Sequence, residues 1–266
     1  MAFRLLLGAL ALSLGPVPTV GCQWAVVRRN VNLRPQPSTD SALTARLGPG
    51  TELELVWPDR VNRYYYVLTE AGEIGWAWAN SVRLVPDNGV SALQHFPRER
   101  APMPRFNRDT HFGGWTDDDD DCQDTRMEVL ERDAGGGLVG DNRRCHIRQG
   151  RWPDPYSGQV LTLAGDVDID HMVPLKNAYE SGAWRWSLPR RVAYANYLHD
   201  PRHLLAVRDR LNQSKSDRGP DRWLPPNGTY LCTYVREWVR IKDKWRLVVS
   251  PGERRAVDSV SRVDCP

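Results

Sequence analysis

The stretch Asp168-Ile169-Asp170-His171-Met172-Val173-Pro174-Leu175 restricts what this chain can fold into more than any other. Val167 to Asp170 reads as extended, with apolar and acidic residues alternating, and Pro174 opens a helix because it cannot donate to a sheet ladder. The spacing predicts that helix over 174–186, with Leu175, Ala178 and Tyr179 facing inward, and a second helix from Pro189 to about His199. His203-Leu204-Leu205-Ala206-Val207 is then a buried strand. Asp209 N-caps a helix that carries Asn212 and that Gly219-Pro220 ends. This order sets an Asp-His pair at one strand end opposite a polar side chain, 41 residues beyond His171, on the last helix.

These residue types in this order suit hydrolysis at phosphorus. A phosphodiester gathers negative charge in its transition state, and a hard divalent cation that prefers oxygen ligands neutralises it. Asp170 offers a carboxylate oxygen and Asn212 an amide oxygen. Water near neutral pH needs a base, and imidazole has the closest unperturbed pKa. Strand alternation points His171 away from Asp170, so one residue holds metal while its neighbour takes a proton.

The N-terminus points to export. Met1-Ala2-Phe3-Arg4 is a short positive region, and Leu5 to Leu14 is an apolar run too short for a bilayer span, so residues 1–21 read as a signal peptide. Thr19-Val20-Gly21-Cys22 resembles a bacterial lipoprotein box with Thr19 where Leu is usual. Cys22 is accordingly a lipidation candidate, with ordinary signal-peptidase cleavage as the alternative. Export permits disulfides, and among five cysteines Cys122–Cys145 and Cys232–Cys265 are the most economical pairs, although other connectivities fit. A zinc site from Cys122, Cys145 and His146 is a further alternative on ligand type.

Four short strands with polar turns follow the signal: Val31 to Arg34, Leu53 to Trp57, Tyr64 to Leu68, and Gly75 to Trp78. Asn32-Leu33-Arg34, Leu47-Gly48-Pro49-Gly50-Thr51 and Gly72-Glu73-Ile74-Gly75-Trp76 make residues 22–86 resemble a bacterial SH3-like (SH3b) domain. That likeness implies cell-wall or peptide binding, with a ligand-free packing module as the alternative. A stretch rich in Pro, Arg and polar residues runs to 112, and its 87–104 portion reads as a linker. Asp117–Asp121 is a solvated acidic loop whose spacing is not that of an EF-hand. Asp124 to Arg132 predicts a helix, Tyr156 to Leu163 reads as extended, and Tyr230 to Trp245 is an amphipathic helix whose aromatics belong to the core.

Asp170-His171-Met172-Val173-Pro174-Leu175, Ser181-Gly182-Ala183-Trp184, His203 to Val207, and Leu211 to Asp217 together resemble HNH-type (His-Me finger, ββα-metal) endonucleases. The likeness is narrower still to exported nucleases related to the C-terminal domain of GmrSD-type restriction enzymes. With Cys122-Gln123-Asp124-Thr125-Arg126 and Trp152 to Tyr156 it spans roughly 105–265. The resemblance implies Asp170 and Asn212 as metal ligands and His171 as general base. His203 stands where Asn is common and props the loop of the base, with a hydrogen-bonded core histidine as the alternative. Lys215 becomes a candidate phosphate clamp and Arg126 a candidate phosphate or leaving-group contact, with a surface cation or a structural ion pair as the alternative for both.

The expected fold is α+β: an N-terminal all-β SH3-like barrel and a helix-rich ββα-metal nuclease domain over 105–266. The expected cofactor is one divalent ion, Mg²⁺ first, with Mn²⁺ or Ca²⁺ as alternatives. The expected substrate is DNA, with RNA as the alternative and little base specificity, since no recognition helix or zinc finger is visible. Residues 1–139 carry 14 Lys/Arg against 18 Asp/Glu and residues 140–266 carry 22 against 15, so the basic half is the one with the motif. A monomer is expected outside the cytoplasm, as a periplasmic, envelope-anchored or secreted protein, with membrane contact only through a lipid on Cys22. Two other classes compete. One is a cell-wall-binding lipoprotein with an inactive nuclease fold, holding peptidoglycan through the SH3-like part. The other is a cell-wall hydrolase, for which no Cys/His or paired-Glu arrangement is present.

Overall fold

A computed structural model describes residues 24–85 and 103–265. The signal peptide, Cys22 and nearly all of the 87–104 linker lie outside the described residues. None of the described helices is long and apolar enough to cross a membrane.

Strands β1 (Trp24–Val27), β2 (Val31–Arg34), β3 (Ala45–Leu47), β4 (Glu52–Val61), β5 (Tyr64–Thr69), β6 (Ile74–Trp78) and β7 (Val82–Val85) form one curled antiparallel sheet, ordered β3-β2-β6-β5-β4-β1-β7. Alternation builds it: Val31 and Leu33 are buried while Asn32 between them is exposed. Asn62 and Arg63 both take positive φ, 47° and 68°, as a two-residue hairpin turn requires, and this sets Val61 opposite Tyr64. Gly75 sits where β6 crosses β2, and a Cβ there would lie 2.7 Å from the Arg34 carbonyl oxygen. Four of these seven strands, β2, β4, β5 and β6, are the ones the alternation predicts.

The second part mixes helices with two small sheets. Helices α1 (Arg108–Phe112) and α2 (Thr125–Asp133) precede β8 (Val139–Gly140), β9 (Ile147–Pro153) and β10 (Val160–Leu163), ordered β10-β9-β8. Strand β11 (Val167–His171) pairs antiparallel with β12 (Leu204–Arg208), setting Asp170 opposite Leu205 and His171 opposite Leu204. Helices α3 (Leu175–Glu180) and α4 (Leu188–Ala195) fill the excursion between them. Helices α5 (Asp209–Lys215), α6 (Leu231–Trp245) and α7 (Pro251–Val263) follow. Ile169, Leu204 and Ala206 on one face of the β11/β12 pair pack with Val129, Leu130 and Trp152. A larger core gathers Tyr179, Tyr194, Trp238 and Trp245.

Several expected boundaries shift. The helix expected over 174–186 stops at Glu180, because Gly182 turns the chain at φ 131° before a short 3-10 turn at Ala183–Arg185. Asp209 lies in the first turn of α5 rather than at its N-cap, which is Arg208, and α5 ends at Lys215, well before Gly219. Tyr156 is in a turn, where its backbone N–H donates to the Asp154 carboxylate at 3.1 Å, so extended chain begins only at Val160. Part of the polar stretch ahead of residue 112 is helical. Helix α7 went unread, although Ser250 and Glu253 form a capping box at its start.

Cys122–Cys145 and Cys232–Cys265 are both disulfides, so the zinc reading of Cys122, Cys145 and His146 falls away. Paired cysteines fit an oxidising compartment outside the cytoplasm. The first sheet is fastened to the second part through β4. Glu54 accepts from Ser187 N at 3.3 Å, Leu55 O accepts from Arg190, and Asp59 takes the Tyr197 hydroxyl and the Lys244 ammonium, the latter at 2.6 Å.

Candidate active site

The end of β11 and the exposed side of α5 open into one cleft of about 630 Å³, lined among others by Asp170, His171 and Asn212. The three residues set apart by sequence thus share a cavity.

His171 is 7% exposed, and its Nε2 lies 2.9 Å from the Ala195 carbonyl oxygen. A carbonyl only accepts, so Nε2 carries the hydrogen and the lone pair of the neutral ring sits on Nδ1. Nδ1 has no protein partner among the described residues. The ring runs nearly parallel to two aromatic planes, Trp115 at 5.4 Å and 7° and Tyr194 at 6.3 Å and 9°. Burial, with His203 and Arg108 adding positive surroundings, holds its pKa well below the ordinary imidazole value. The resting form is therefore an oriented neutral base.

Asp170, one residue earlier, faces the opposite side of the strand. Its Oδ2 accepts from the Lys215 ammonium and the Tyr156 hydroxyl. Lys215 is fully buried and spends its other donors on the carbonyls of His171, at 2.8 Å, and Met172, at 3.0 Å. Burial pushes the Asp170 carboxyl up, and Lys215 and Tyr156 pull it back. Asn212 turns its Nδ2 toward the Asp168 carboxylate, 3.3 Å away. A carboxylate only accepts, so the amide oxygen is the atom left over. The remaining Asp170 oxygen and the Asn212 amide oxygen are hard donors at an open cleft, a set that fits a divalent cation keeping several waters.

The other expected site residues lie elsewhere. Lys215 does not line the cleft, so of its two expected readings the phosphate clamp gives way to the structural ion pair, a buried counter-charge that pins Asp170 and the turn after β11. Arg126 donates to the carbonyls of Val167, at 2.8 Å, and Ala164, at 3.4 Å, and fastens the start of β11 rather than facing substrate. His203 is fully buried outside the cleft, with Nε2 2.7 Å from the Tyr194 carbonyl oxygen, next in the chain to the carbonyl that orients His171. The carboxylates of Asp117, Asp119 and Asp121 come within 4.8 Å of one another on an exposed loop, where Asp117 accepts from the backbone of Asp121 and Cys122. Sequence reading missed Phe106 and Arg108, which line the cleft, and Trp115. They sit in a polar stretch without periodicity, and no local pattern marks them.

His203 carries an acid-stability prediction. Burial lowers its pKa from 6.5 to about 4, while its hydrogen bond to the Tyr194 carbonyl raises it. Between those values the unfolded chain binds a proton that the folded chain refuses. This contribution to stability is complete above pH 6.5 and is lost as pH falls toward 4, up to about 3 kcal/mol. Urea unfolding at pH 7 and 4.5 measures the loss, and His203→Asn is expected to shrink the difference between the two.

Two comparisons bear on this geometry. Residues 124–250 match the family described as GmrSD restriction endonucleases, C-terminal domain. An uncharacterized secreted protein of Arthroderma benhamiae is 42% identical over 163 residues, 61% of this chain and 78% of that protein. The matched range contains Asp170, His171, His203, Asn212 and Lys215 and starts after Arg108 and Trp115.

Proposed function

The chain belongs to the nuclease family of the GmrSD restriction endonuclease C-terminal domain, and on that premise we propose that it is an exported HNH-type endonuclease. It hydrolyses phosphodiester bonds of DNA, with RNA as a second substrate to be tested, and with little sequence preference. The observation that carries the reading is the His171 hydrogen bond to Ala195, which leaves Nδ1 as the base in a cleft shared with Asp170 and Asn212.

In this mechanism a water at the cleft gives its proton to His171 Nδ1 as its oxygen bonds to phosphorus, and the bond to the leaving sugar oxygen breaks, that oxygen keeping the electron pair and taking a proton from solvent. The imidazolium so formed keeps its Nε2–H on the Ala195 carbonyl and has the Trp115 ring parallel to it at 5.4 Å, a π face that favours the new charge. Asp170 and Asn212 would hold a divalent ion, with Mg²⁺ as the first candidate. When bound, that ion supplies neutralisation of the charge that develops on phosphate oxygens. Low specificity follows if the substrate is held through its phosphates rather than its base edges.

Purified protein incubated with plasmid, linear DNA and RNA tests the reading. Cleavage is expected with Mg²⁺ or Mn²⁺ and at least a hundredfold less, or about that, in excess EDTA. Full activity in chelator would remove the metal from the mechanism. No cleavage of any of the three under any metal would remove the enzyme.

The first sheet supports a second, separate role. In our reading residues 22–86 are an SH3-like module with peptidoglycan as its ligand, and its cleft of about 570 Å³ is lined by Arg34, Arg46, Tyr64 and Trp78. Retention of Arg46→Glu protein on purified sacculi at the wild-type level would count against this cleft.

A further inference from the structure

The family match begins at residue 124, yet one wall of the cleft comes from an earlier segment, which contributes Phe106 and Arg108. This segment is firmly built in. Asn107 caps α1 by accepting from Thr110 N at 2.9 Å, and Phe112 is fully buried. Arg191 Nε donates to the His111 carbonyl at 2.8 Å, and Thr116 N donates to Asn196 Oδ1 at 3.0 Å. Between those anchors Trp115 lies flat on the His171 ring, and the Arg108 guanidinium stands 6.0 Å from the Trp115 ring centre.

The cations around the site differ in what they are free to do. Lys215 is buried on Asp170, and Arg126 is committed to backbone carbonyls. Lys176 lines the cleft but is paired with Asp217 at 2.6 Å. Arg108 lines it too, is exposed, and has no carboxylate partner among the described residues. Its rigid fork of donors matches two oxygens of one phosphate, which a point-like ammonium does not.

We propose that this leading segment completes the active site: Arg108 grips non-bridging oxygens of the phosphate being cut, and Trp115 is a positioning residue that holds Arg108 and His171 in register. The proposal rests on the nuclease reading and adds to it a substrate contact outside the family domain. The cleft continues past Phe106 and Lys176 into a second recess of about 390 Å³ that both residues also line, which gives the substrate strand a path along the same segment.

The test uses the full chain in two assays. In cleavage of plasmid, Arg108→Ala is expected to lower kcat/KM about 100-fold and Arg108→Lys about tenfold, since charge without the fork restores only part of the contact. Arg148→Ala, which removes an exposed arginine on β9 that does not line the cleft, is expected to stay within about threefold of wild type. Trp115→Leu is expected to lower kcat about tenfold with KM little changed, and Trp115→Phe to recover most of it. In binding of a labelled oligonucleotide by His171→Ala protein, adding Arg108→Ala is expected to weaken affinity and to reduce the slope of log K against log salt by about one. Thermal unfolding confirms that each variant folds. An Arg108→Ala protein with unchanged kcat/KM and unchanged salt slope overturns the proposal and leaves the nuclease reading intact. A wild-type chain that cuts nothing overturns the nuclease reading, and the binding assay still decides whether Arg108 touches phosphate.

Discussion

His171→Ala is expected to lower kcat for plasmid cleavage by about a thousandfold or more, while the protein still folds and still binds oligonucleotide. The size follows from what the imidazole does. Among the described residues nothing else lining the cleft offers a neutral nitrogen lone pair fixed by a backbone carbonyl, and Oδ2 of Asp170 is occupied by Lys215 and Tyr156. Losing the ring also leaves the Ala195 carbonyl without its donor and removes the packing partner of Trp115 and Tyr194, which is expected to cost about 1–3 kcal/mol of stability. Steady-state kinetics beside a urea titration separates the two effects. A folded variant that nicks plasmid at the wild-type rate would strip the base role from His171.

Lys215→Met is expected to produce the largest loss of stability, about 3–5 kcal/mol, because it leaves the Asp170 carboxylate buried without its cation. Both partners are almost sealed from water, at 0% and 4% side-chain exposure, and the ammonium also satisfies two carbonyls in the turn after β11. Methionine keeps the apolar stem between Tyr156 and Tyr234 but none of the donors. Activity is expected to fall as well, since an unpaired Asp170 relieves its burial by taking up a proton and ceases to be a good oxygen ligand. The double variant Asp170→Asn/Lys215→Met is expected to regain much of the stability and none of the activity. If Lys215→Met unfolds within about 1 kcal/mol of wild type, the pair is not the keystone assigned to it.

The strand carrying Asp170 and His171, its partner strand and the helix carrying Asn212 were legible because their signals are local: alternation, a proline stop and helical spacing. The convergence of the three residues followed from element order, and both cysteine pairs matched the shortest connectivity. Sidedness was harder to read. Spacing put Lys215 on the same helix as Asn212, but only packing of that helix under Tyr156 and Tyr234 decides that one side chain faces the cleft and the other the interior. Arg108 and Trp115 were not legible at all, because a five-residue helix in a polar stretch has no period to detect and its value comes from where Phe112 anchors it. Gly182 broke an expected long helix through a single positive φ that composition does not announce.

Helix α4 terminates against the site, and a helix terminus has carbonyls with no partner of its own turn. Two of them, on Tyr194 and Ala195, receive the two buried imidazoles. The His171 ring is therefore aimed by a helix end rather than by a carboxylate, and its bearing is inherited from the whole helix. That same helix is clasped near its start by β4 through Glu54 and Leu55, and just past its end by Asp59 on Tyr197. The N-terminal sheet thus serves as a mount for the imidazole proposed as the base, and disturbing the clasp would misalign Nδ1 without touching a single residue of the cleft.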